Sequence, residues 1–83
     1  MLNPEQETRF KLLKQWRRQK SLELDIPAFI VFSDRTLRNL AFANPQKTEA
    51  LYAIHGIGEA KIAQYGPEIL NLLDSKNFEF ADK

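Results

Sequence analysis

The stretch Leu51-Tyr52-Ala53-Ile54-His55-Gly56-Ile57-Gly58-Glu59-Ala60-Lys61-Ile62 decides how this chain reads. Leu51 and Ile54 stand three apart and share one helix face. Gly56 and Gly58 reach backbone angles closed to other residues and carry no side chain. Ile57 between them can plug the gap between two helices. The spacing predicts a short helix, a tight two-glycine loop and a second helix, the pattern of a helix-hairpin-helix. Backbone N–H groups at the start of the second helix have no intrahelical partner, so they are open to an anion such as a nucleic-acid phosphate. A Gly-apolar-Gly turn can equally do no more than join two helices.

The rest of the chain supplies a small body around this hairpin. Its 83 residues make one domain. A chain of this length buries about 60–65% of its extended surface, so its stability is modest. The apolar share is 43%, enough for one core, and there is no cysteine. Disulfides and thiolate metal sites are therefore excluded, and well-packed helices must supply the stability. No apolar run approaches the roughly 20 residues that span a bilayer, and no signal peptide is present, so an intracellular protein is expected (cytoplasm or nucleoid if bacterial).

Net charge is only +1, but it is unevenly spread. Arg9, Lys11, Lys14, Arg17, Arg18 and Lys20 follow one another without an acid, and acids outnumber bases after Lys20. A basic segment on a near-neutral domain suits a local polyanion contact, and also an ordinary solvated helix face.

The pattern predicts a first helix over 4–20, with Asn3 as cap and Pro4 in the first turn. Phe10, Leu12, Leu13 and Trp16 fall on one side of it, and Lys11, Lys14 and Arg18 on the other. Residues 21–27 read as a linker, followed by one irregular helical turn over Pro27-Ala28-Phe29-Ile30-Val31-Phe32. Ser33 and Asp34 offer a cap to a helix over 34–43, with Leu37, Leu40 and Ala41 buried and Asn44-Pro45 ending it. The hairpin arms are expected at 48–53 and 59–65. Gly66 is expected to stop the second arm and Pro67 to open a last helix carrying Ile69, Leu70, Leu72 and Leu73. From Ser75 the chain reads as a frayed tail, with Phe78 and Phe80 able to pack back. The expected fold is all-α, a compact bundle of about five short helices.

The order of these pieces resembles the HRDC domain, the helicase-and-RNase-D C-terminal module. The resemblance rests on Pro27-Ala28-Phe29-Ile30-Val31-Phe32-Ser33-Asp34-Arg35-Thr36-Leu37, on Asn44-Pro45 and Leu51, and on Gly56-Ile57-Gly58 followed by Lys61 and Tyr65-Gly66. It covers roughly residues 5–75 and leaves 76–83 as tail. The intact first stretch looks more like the version in RecQ-type DNA helicases than that in ribonuclease D. Gln46 and Lys47 stand where the family often has a Ser or Thr cap, which leaves the start of the first hairpin arm open by a residue or two. The resemblance implies an auxiliary, non-catalytic nucleic-acid-binding domain of a RecQ-type ATP-dependent helicase. Its expected partner is single-stranded or branched DNA, bound weakly by a monomer, with the helicase core of the same chain as a further partner.

Ten residues are candidates for that contact. Lys11, Lys14 and Arg18 could track a phosphate backbone, with Arg35 and Arg38 extending the patch. Gly56, Ile57 and Gly58 would cap a phosphate through the loop amides, and Lys61, one turn on, could reach the same anion. Phe29 either stacks on a base or is buried. Three or four phosphate contacts give only weak binding at physiological salt. His55 is the only histidine and lies in the hairpin loop. Without clustered ligands or a nucleophile beside it, it marks neither a metal site nor a catalytic base. Gly-Ile-Gly lacks the spacing and the Lys-Ser or Lys-Thr pair of a Walker loop, and no cofactor is expected. The alternative is a protein-docking or intramolecular regulatory module, of a helicase or a ribonuclease D-like nuclease, with little affinity for DNA.

Overall fold

The computed structural model describes residues 2–78, which form helices and turns without a strand. Helix α1 spans Pro4–Leu24, α2 Ala28–Val31, α3 Asp34–Ala43, α4 Thr48–Leu51 and α5 Glu59–Leu73, and a 3₁₀ turn follows at Ser75–Phe78. Asn3 caps α1 reciprocally with Gln6: the Asn3 Oδ1 accepts from the Gln6 amide and the Gln6 Oε1 from the Asn3 amide, both at 2.8 Å. Helix α1 runs four residues beyond Lys20, into the expected linker. The Ser21 hydroxyl donates back to the Arg18 carbonyl (2.8 Å), which lets a serine sit inside the helix. The stop comes at Asp25, in the left-handed region at φ 56°, with the Ile26 amide returning to the Ser21 carbonyl (3.0 Å).

Helix α3 has the expected bounds, with Ser33 accepting from the Thr36 amide and Asn44 ending it at φ 50°. The α4 turn begins at Thr48 without a side-chain cap. Gln46 instead fastens the far end of α5, where its Nε2 donates to the Leu73 carbonyl (2.7 Å) and its Oε1 accepts from the Ser75 amide. Residues 75–77, expected as tail, are thereby held in a turn; Phe80 and the Phe78 side chain lie outside what is described.

The second half of the hairpin differs most from expectation. Gly66 does not stop a helix and Pro67 does not open one, for α5 runs through both. A Cβ on a residue before proline crowds the proline ring in helical geometry, and Gly66 has none. Gly66 is also buried, against the Leu51 and Ile62 side chains. The missing N–H of Pro67 costs one helical bond, which the burial of Ile62, Tyr65, Ile69 and Leu73 along the same helix outweighs.

These helices close over one core of Phe10, Leu13, Val31, Phe32, Leu37, Leu40, Ala41, Leu51, Ile54, Ile57, Ile62, Tyr65, Ile69 and Leu73. Leu51, Ile54 and Ile57, the apolar positions of the glycine-loop stretch, are all buried. Trp16 packs on the core's edge, 5.4 Å from Tyr65 at 88° and 6.1 Å from Phe32, with its Nε1 donating to Glu68 (3.1 Å).

Candidate nucleic-acid interface

The basic run of α1 divides by helix face. Arg9, Arg17 and Lys20 turn inward and hold other elements. Arg9 Nε donates to the Ala41 carbonyl (2.9 Å) at the end of α3. Arg17 donates to the Phe32 carbonyl (2.9 Å) and pairs with Asp34 (2.7 Å) at the start of α3. Lys20 pairs with Glu68 of α5 (2.9 Å) and with Glu23 (3.2 Å). The Arg17 guanidinium holds the Asp34 carboxyl below its usual range. Lys20, then the Trp16 indole, do the same for Glu68, while Glu68 and then Glu23 raise the Lys20 ammonium.

Lys11, Lys14 and Arg18 remain on the outer face, exposed and, among the described residues, with no carboxylate within 4.0 Å. Lys14 Nζ lies 4.6 Å from the centre of the Phe10 ring, and the Arg38 guanidinium of α3 lies 5.3 Å from the same centre. Phe10 thus brings two of the candidate cations together across the α1–α3 junction. Arg35, one turn earlier on α3, is exposed and faces the hairpin loop beside His55.

The hairpin itself is built against α3. Gly56 takes φ +98°, and a Cβ there would run into Thr36 Oγ1. Asn39 Nδ2 donates to the His55 carbonyl (3.1 Å), tying the loop to the same helix. Gly58 is the N-cap of α5, with no side-chain cap bond and nothing within 4 Å of where its Cβ would be. The first amides of α5 thus have no side-chain cap, although Glu59 in the first turn puts a negative charge beside them.

Two candidates stand apart from these groupings. Lys61 does not turn to the loop amides. Its ammonium donates to the Ile30 and Val31 carbonyls, the latter at 2.7 Å, over the rings of Phe32 and Tyr65. It caps α2, whose last carbonyls would otherwise lack partners. Phe29 of α2 is 69% exposed, which settles its orientation toward solvent but joins it to neither cation group. Sequence reading passed over Phe42, 66% exposed, and Asn39. Their signal was available: Arg35, Asn39 and Phe42 fall at i, i+4 and i+7, opposite the buried stripe of α3.

A family model described as the HRDC domain matches residues 6–73. The chain belongs to the HRDC family. Over 61 residues, 74% of its length, this HRDC domain is 44% identical to the ATP-dependent DNA helicase UvrD2 of Mycobacterium tuberculosis. Over 57 residues, 69% of its length, it is 39% identical to the ATP-dependent DNA helicase RecQ of Bacillus subtilis. It spans 9% and 10% of those helicases. Among solved structures, D. radiodurans RecQ HRDC domain 3 superposes with a TM-score of 0.83 at 30% identity, over 89% of this chain and 96% of that one. The HRDC domain is thus similar to a stretch of UvrD2 as well as of RecQ helicases. Among the described residues, no helix is long and apolar enough to cross a membrane.

Proposed function

We propose that this HRDC domain is the auxiliary, non-catalytic nucleic-acid-binding part of an ATP-dependent DNA helicase of RecQ or UvrD2 type, acting inside the cell on single-stranded or branched DNA. The observation that carries the reading is the division of α1. Its inward cations are consumed by carbonyls and carboxylates, while Lys11, Lys14 and Arg18 stand in a row with no carboxylate within 4.0 Å among the described residues, continued by Arg38 across Phe10. A row of unneutralised cations on a rigid helix tracks a phosphate backbone and releases counter-ions when it binds. The first amides of α5, which no side chain caps, add a second, weaker point for one phosphate. The names of the relatives support the helicase parent.

Fluorescence polarisation with a labelled single strand at low salt tests this. The double variant Lys11→Glu/Lys14→Glu is expected to weaken binding to all sequences alike and to lower the salt slope by about 1.4, from about 0.7 per phosphate contact on a single strand. Equal affinity of variant and wild type removes α1 from the interface.

A second reading has its own observation. Leu22 and Leu24 at the end of α1, with Phe29 and Ile30 on α2, are all exposed. Exposed apolar side chains on neighbouring elements suit docking against the helicase core. Absence of DNA binding at low salt, with contact to the core retained, favours that reading over the first.

A further inference from the structure

Arg35, Asn39 and Phe42 line one side of a groove of about 290 Å³, and Ala53, Ile54 and His55 of the hairpin line the other. The walls are held in place rather than assembled on demand. Ile54 is buried in the core, the Asn39 bond to the His55 carbonyl bridges the two sides, and Gly56 seats the loop directly on Thr36. The chemistry of the lining is mixed in a particular way. Phe42 offers an open ring face, and none of the described aromatic pairs involves it. Arg35 has no carboxylate within 4.0 Å among the described residues. Asn39 spends one amide hydrogen on His55, leaving its second N–H for a ligand's acceptor and its Oδ1 for a ligand's donor. The volume lies just below the range of small-molecule pockets, so it suits one nucleotide unit and not a partner helix.

The geometry points to a base-binding subsite: we propose that this groove seats one unstacked nucleobase of a single strand, its face on Phe42 and its edge toward Asn39, with the adjoining phosphate on Arg35. The inference rests on the nucleic-acid reading above and deepens it. Charge continuity supports the occupant. Arg38, beside Asn39 in sequence, reaches the same Phe10 ring as Lys14, so the cations of α1 lead along α3 to Arg35 at the groove. A strand on that path meets an aromatic face where its phosphates are already held. Stacking of this kind tolerates any base, while the Asn39 amide adds a modest preference at its edge.

The test is polarisation at low salt with the 83-residue chain, a labelled strand of about ten thymidines, and an abasic strand of equal charge. Wild type is expected to prefer the base-bearing strand. Phe42→Ala should lose about fivefold or more of that affinity, keep the salt slope, and bind the abasic strand as wild type does. Phe42→Tyr keeps the ring and should restore the preference. Arg35→Gln should lower the slope by about 0.7. Since Phe42 is exposed, both ring variants should fold, which circular dichroism checks. Equal affinity of Phe42→Ala and wild type for the base-bearing strand overturns the subsite while leaving the α1 interface standing, and the groove then belongs to another ligand, such as a peptide side chain. Wild type that binds neither strand overturns both.

Discussion

Lys61 stands one turn after the glycine loop, where a cation beside open amides reads as an anion clamp. Its ammonium instead satisfies two carbonyls some 30 residues away in sequence, over two aromatic rings. Charge-assisted hydrogen bonds of this kind are worth more than neutral ones, and these two join the Arg17 bond to the Phe32 carbonyl in holding the end of the four-residue α2. Lys61→Met should therefore lower stability by about 1–2 kcal/mol, a fall in melting temperature of several degrees for a domain this size, and leave the salt slope of DNA binding unchanged. A lower slope with unchanged melting would return Lys61 to the interface. Gly56 makes the complementary case. Its left-handed φ and its approach to Thr36 both forbid a side chain, so Gly56→Ala should cost about 1–3 kcal/mol in thermal melting. The glycine's role was readable from the motif, since only a tight turn needs it. The lysine's was not, because its partners lie outside any local window.

Helix periodicity carried most of the fold. The bounds of α3, its buried Leu37, Leu40 and Ala41, and the split of α1 into an apolar and a basic side all follow from spacing along one element. What spacing could not reveal is which inward cations α1 would consume as tertiary caps. Arg9, Arg17 and Lys20 carry the same charge as Lys11, Lys14 and Arg18, and only the packing of α3 and α5 separates them. The overlooked groove has a similar origin: Phe42 and Asn39 were legible as one face of α3, but the opposite wall comes from a loop folded onto it. Gly66-Pro67 misled for a different reason. Both residues are strong local breakers, yet α5 continues because its apolar stripe is buried on both sides of the pair. Pro67 thus sits in the helix at a local cost of about 3 kcal/mol. Because Pro67 is exposed, Pro67→Ala loses little packing and forgoes only about 0.4–1 kcal/mol of unfolded-state restriction. A net gain of about 2 kcal/mol is expected in a denaturant titration at unchanged m-value. A loss there would mean that α5 breaks in solution at Gly66.

At the scale of the molecule, α1 is the spine to which the other elements are tied. Arg9 holds the end of α3, Arg17 the junction of α2 and α3, and Trp16 with Lys20 the middle of α5. Two of these ties end on carboxylates whose folded pKa values are depressed, Asp34 and Glu68. A depressed carboxylate binds fewer protons in the folded chain than in the unfolded one. Its contribution is therefore complete above the unfolded values of 3.8 and 4.5, and it is lost as pH falls through the lower folded values. Lys20 works in the opposite sense. Its pKa is raised above 10.5, so its share is complete below 10.5 and fades only at higher pH. Both carboxylates are largely solvated, which keeps each tie modest. The melting temperature should accordingly be flat from about pH 5 to 10 and decline below about pH 4.5. Asp34→Asn with Glu68→Gln should lower the plateau slightly and flatten the acid decline, because neither amide titrates. An acid decline as steep in the double variant as in wild type would place the proton-linked stability elsewhere, and α1 would then hold the fold through its apolar face and the Arg9 and Arg17 bonds to backbone carbonyls.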